Sequence, residues 1–128
     1  NTMAIANSGI LVSAINTNIR AYNTSVGTNF IFNKTLASFA QPLGISGSKY
    51  DPKIVYDPYA NRFIIVFLNG TVPSNSKIIV GFSTDDDPNN TWNLYSLPGN
   101  PYNDTSWSDY PAIEVNEHDF YNHEFTLA

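Results

Sequence analysis

The 128-residue chain contains no cysteine. Disulfide scaffolds, thiol chemistry and cysteine-based zinc or iron–sulfur centres are thereby excluded. Charge is scarce: Asp, Glu, Lys and Arg together make up 13% of residues, about half the usual share. Solubility therefore rests on uncharged polar groups, and Asn, Ser and Thr are abundant along the whole chain. Lys77 is the last lysine or arginine. No apolar run reaches the length of a membrane span, and no basic segment leading into an apolar one opens the chain. Gly-x-Ser-x-Gly, a phosphate loop and His-Glu-x-x-His are all missing. With two histidines in total, a Ser–His–acid triad has little to draw on. The first residue is Asn1 rather than Met, as expected of a processed chain, a fragment or the visible part of something longer.

What is present suffices for one packed domain. The chain is 42% hydrophobic and 14% aromatic at 14.2 kDa, which excludes wholesale disorder. Its net charge of −5 hides a division. Residues 1–84 hold all six Lys and Arg side chains and only Asp51 and Asp57; residues 85–128 hold nine acids and no Lys or Arg. An acidic stretch repels phosphate backbones, which argues against nucleic acid as a partner. The plain reading of the acids is a solvated face, and the sharper one is a cation site. Five Asn-x-Ser/Thr sequons, at Asn23, Asn33, Asn69, Asn89 and Asn103, carry no weight in a chain this rich in those residues.

The strand signal dominates. Phe63–Leu68 and Lys77–Phe82 are short β-branched and aromatic runs bounded by turn formers. Lys53–Tyr56 precedes them, with Asp57-Pro58-Tyr59-Ala60-Asn61 as the turn. Trp92–Leu97 follows with a period of two and ends at Pro98-Gly99. The expectation is a four-stranded antiparallel meander over residues 53–97, in sequence order. Its middle strands are apolar on both faces, so both faces should be covered.

Strand–turn–strand patterns recur at Ile5–Asn16, at Val55–Asn69 and at Ala112–Tyr121, the last turning at Asn116–Asp119. A spacing of roughly 50–60 residues predicts all-β, four-stranded antiparallel meander blades of a β-propeller, in which each sheet packs face to face on the next. The approximate blades are 1–49, 50–109 and the start of a third at 110–128. A full propeller needs about four to eight blades. The chain is thus either a partial propeller, with further blades of its own chain as neighbours, or a small β-sandwich that looks repetitive. Residues 122–128 continue the strand pattern poorly, and whether a gap precedes them is left open by the sequence.

Several features carry a likeness. They are Leu36–Phe39, Tyr50–Pro58, Asn61-Arg62-Phe63, Ile79–Ser83, the Trp of the fourth strand, and Ser108–Ile113. On these, residues 36–121 resemble the sialidase-like, Asp-box-type propeller repeat of secreted bacterial cell-surface proteins. Ser83–Trp92 looks like an Asp box with two residues extra and its Gly absent. The resemblance implies a structural role: Ser83 and Asp85 cap the turn while Trp92 anchors it. It leaves Asp86 and Asp87 facing water, with no bound metal and no cofactor expected. The resemblance does not extend to catalysis. A sialidase-like enzyme needs an arginine cluster, a Tyr–Glu pair and an acid/base Asp, whereas this chain has only Arg20 and Arg62. For Arg62 the expectation is packing or a cross-blade ion pair.

Two constellations remain. His118 and His123 with Asp119 and Glu124 are candidate transition-metal ligands at an unfamiliar spacing, against the plainer reading of exposed turn histidines. The segment Pro98–Pro111 joins two blades and sets Tyr102, Trp107 and Tyr110 among Asn and Asp side chains. Ring faces for C–H stacking beside polar groups for hydroxyls suit a sugar-binding surface; packing between blades is the alternative. The favoured reading is a non-catalytic, extracellular or cell-surface binding segment whose partner is a protein or glycan. The alternative is part of a sialidase-like glycoside hydrolase whose catalytic residues lie outside this segment. A purely structural repeat is a third class.

Overall fold

The computed structural model describes residues 2–116 in full and the backbone of 120–127. Its first sheet is a meander of β1 (Thr2–Ile5), β2 (Ile10–Ala14), β3 (Asn18–Asn23) and β4 (Phe30–Thr35), paired antiparallel in that order. The second is an equivalent meander of β5 (Lys49–Asp57), β6 (Arg62–Asn69), β7 (Lys77–Ser83) and β8 (Trp92–Pro98). The four-strand order expected for residues 53–97 is therefore the observed one. A third, two-stranded antiparallel sheet pairs β9 (Trp107–Val115) with β10 (Phe120–Leu127).

The strand extents correct two expectations. Backbone pairing continues through Leu127↔Trp107, so residues 122–127 continue β10 although their sequence carries the strand pattern poorly. The loop between β8 and β9 is also shorter than the sequence suggests, because Trp107–Pro111 already belong to β9. Of the turn expected at 116–119, Glu117–Asp119 lie outside the described residues, and so do the side chains of the candidate ligands His118, Asp119, His123 and Glu124.

Between β4 and β5 the chain forms a short helix, α1 (Leu36–Ala40), where only strands were expected. Thr35 caps it, its Oγ1 accepting from Ser38 N at 3.0 Å. Leu36, Phe39 and Ala40 face inward at helical spacing and are buried. Gly44, at φ 64°, ends the 3-10 turn that follows.

β6 explains the layering. Phe63 through Leu68 are all fully buried. Phe63, Ile65 and Phe67 join Val12, Ile19, Phe32 and Phe39 in a core between the first sheet, α1 and the second sheet. Ile64, Val66 and Leu68 turn the other way, with Ile78 and Val80, and meet Ile113 and Val115 of β9. The second sheet is thus covered on both faces, as its unalternating apolar strands require.

Candidate functional site

Two strands repeat one local device. Pro52-Lys53-Ile54-Val55-Tyr56-Asp57 in β5 parallels Pro111-Ala112-Ile113-Glu114-Val115-Asn116 at β9. In each, the residue before the proline has positive φ: 50° at Asp51 and 56° at Tyr110. A proline normally drives its predecessor into extended conformations, and a Cβ disfavours the left-handed region as well. Both positions are β-bulges. Pairing steps from Tyr50↔Leu68 to Lys53↔Val66, and from Asp109↔Phe125 to Ala112↔His123, with one residue extra on β5 and β9. Such a bulge re-aims a side chain. At β9 it turns out Tyr110, which is 68% exposed.

The surroundings fix these bulges. Asp51 N donates to Asn16 Oδ1 at 3.0 Å, tying β5 to the β2–β3 turn. Tyr50 Oη donates to Gly70 O at 2.8 Å. Its phenol pKa is raised, first by burial and then by the carboxylates of Asp109 and Asp51. Lys49 Nζ donates to Ile45 O at 2.7 Å and Gly47 O at 2.8 Å, and partial burial lowers its pKa. Ser108 N donates to Ser76 Oγ at 3.1 Å, and Ser108 Oγ to Gly99 O at 2.7 Å. A Cβ at Gly99 would lie 2.1 Å from Ser76 Oγ, so only glycine fits this clasp. Asn69, fully buried, donates to Ser46 O and Asn75 O, both at 3.0 Å.

The loop between β8 and β9 is held from within. Asn100 Nδ2 donates to Asp104 O at 2.9 Å, and Asp104 Oδ1 accepts from Ser106 N at 2.8 Å. Asn103 takes φ 54° beside Tyr102, which is 85% exposed. Tyr102, Trp107 and Tyr110 therefore share one end of the second sheet. Tyr102 stands on the loop, half-buried Trp107 begins β9, and Tyr110 crowns the bulge. Among the described residues no ring contact joins the three.

The β7–β8 turn occupies the opposite end. Ser83 Oγ accepts from Phe63 N at 2.7 Å and donates to Asp85 O at 2.6 Å. Asp85 Oδ1 accepts from Asp87 N at 2.9 Å, and its Oδ2 from Asn90 Nδ2 at 2.8 Å. Trp92 Nε1 donates to Pro88 O at 2.9 Å, and its ring meets Phe39 edge-on at 5.0 Å. Asp87 departs from the expected water-facing role: its Oδ1 accepts from Asn89 N at 2.9 Å. One carboxylate caps each half of the turn.

Arg62 also departs from expectation in part. Its ion pair lies within one sheet: Nε is 3.4 Å from Oδ2 of Asp57, its cross-strand partner. The guanidinium stacks over Phe82 at 4.9 Å. Sequence reading gave Asp57 no role of its own, yet this buried carboxylate accepts from Tyr59 N at 3.0 Å and Ala60 N at 3.2 Å. The Asp-Pro at a strand end was the available signal. Arg20 lies on the first sheet, so the two arginines form no cluster. Among the described residues no three His, Asp or Glu side chains converge to hold a metal ion. No helix of the described residues is long and apolar enough to cross a membrane.

The sequence matches no family model, and comparison with curated proteins and with solved structures yields no significant match.

Proposed function

We propose that this chain is a binding segment built from β-propeller blades, extracellular or at the cell surface, and that its ligand is a glycan. The observation that carries the reading is Tyr110. An aromatic side chain is held outward at φ 56° on a strand rather than a mobile loop, and strain of this kind gathers at ligand-contact sites. Tyr102 and the carboxylates and amides of Asn100, Asp104 and Asp109 supply the second ring and the polar groups that hydroxyls need. The blade reading is supported by arrangement. The leading strands β1, β5 and β9 lie side by side in chain order, and successive sheets stack face to face.

A glycan array followed by calorimetric titration of the best ligand tests this. Tyr110→Ala and Tyr102→Ala should each weaken binding by about tenfold or more, in line with loss of a stacking ring. Absence of any array signal, or binding indifferent to both substitutions, overturns the glycan reading. Capture of a protein by the same loop instead leaves the module a binder of another class.

A further inference from the structure

The outward face of the first sheet carries exposed apolar side chains in adjacent rows. Cross-strand register aligns Ile5, Leu11, Tyr22 and Phe30 in one row, with Met3, Ser13, Arg20 and Asn33 in the next. Met3 is 68% exposed, Ile5 53% and Phe30 50%. Scattered apolar residues on a surface are ordinary, whereas a contiguous patch on a flat sheet marks an interface. Arg20 stands inside the patch. It is held there by Asn33 Oδ1, which accepts from its Nε at 3.3 Å, and by the Phe30 ring 5.3 Å below. Beside it opens a concavity of about 110 Å³, lined by Ser13, Ile15, Asn18, Arg20 and Tyr22. It is large enough for a carboxylate-bearing side chain.

The complementary surface is on the same chain. Residues 2–35 contain no acid; of their two cations Arg20 is on the outward face, whereas Lys34, opposite the buried Ile19, is on the other, and residues 107–127 contain five acids and no Lys or Arg. On β9, Ile113 and Val115 pack on the second sheet, so Glu114 projects from the opposite, outward face and is exposed. We propose that the outward face of the first sheet docks a second copy of this chain, head to tail. Glu114 of the second copy then enters the concavity beside Arg20. The chain already displays this mode of contact internally, where β9 covers the second sheet. Because the two surfaces differ, the contact is heterologous and propagates until a ring closes. The inference uses a face remote from the aromatic loop and is independent of the glycan reading.

Sedimentation velocity on the 128-residue chain, from about 10 to 500 µM, covers the affinities of a small interface. The expected result is concentration-dependent association that weakens as salt rises. Arg20→Glu and Glu114→Arg should each weaken it by about tenfold or more, and mixing the two variants should restore it, since each supplies the other's missing sign. Near-UV circular dichroism establishes that both variants are folded, and Met3→Lys provides a second, uncharged-to-charged probe of the patch. A monomer at every concentration, association indifferent to both reversals, or failure of the folded variants to recover on mixing each overturns the proposal.

Discussion

Tyr110 combines two unfavourable choices, a left-handed backbone and a following proline. Glycine tolerates that backbone without a Cβ penalty of about 1–2 kcal/mol. Tyr110→Gly is therefore expected to hold or raise the melting temperature while glycan binding falls; a thermal melt beside the titration reads both. Asp57→Ala leaves the amides of Tyr59 and Ala60 without their acceptor and should destabilise by about 1–3 kcal/mol, measured by urea unfolding. Tyr50 gives a pH signature. Its folded pKa is raised above the ordinary 10.0, so as pH climbs the unfolded chain loses that proton first. Its contribution to stability is complete below pH 10.0 and is lost as pH rises through the folded value. Lys49, lowered from 10.5, works oppositely: its contribution is present above 10.5 and fades as pH falls through its folded value. Comparing urea midpoints of wild type and Tyr50→Phe from pH 9 to about 11 isolates the tyrosine, with the steeper decline expected in wild type.

At the scale of elements, α1 is a plug. Phe39 packs between Phe67 at 6.1 Å and Trp92 at 5.0 Å. Gly81 leaves room for it: an added Cβ would meet Ile65 and Leu94 at 3.0 Å and Phe39 at 3.4 Å. Phe39→Ala should cost about 3–5 kcal/mol and Gly81→Ala about 1–3 kcal/mol by the same unfolding assay. The strands around this plug were legible in the sequence, because β-branched runs between turn formers report a local preference. The helix was not. Five residues are too few for a periodic signal, and Leu36, Phe39 and Ala40 show helical spacing only once Thr35 is known to cap. β10 was under-read because its polar residues do not advertise a strand that backbone pairing with β9 supports. For the site, composition pointed to the aromatic loop. Its decisive feature, the bulge, depends on a backbone angle that the repeated Pro-x-Ile pattern hints at without specifying.

For the whole molecule, β6 is the centre: each of its faces belongs to a different core. Opening it breaks both cores together, so native-state hydrogen exchange should find the slowest amides in Phe63–Leu68 and faster ones at residues 24–29, which are exposed. The flanks of the structure behave differently. β4 ends the first sheet with a register shift at Ile31 and with Lys34 along it, both of which discourage a foreign strand. β8 ends the second sheet with neither. Trp-Asn-Leu-Tyr-Ser-Leu carries no charge, and Tyr95 and Leu97 are 54% and 45% exposed. Only Pro98 closes the run. In a concentrated or heat-stressed solution this edge is the natural template for cross-β fibrils, and the lifetime of the protein in storage would be set there rather than by the depth of its core.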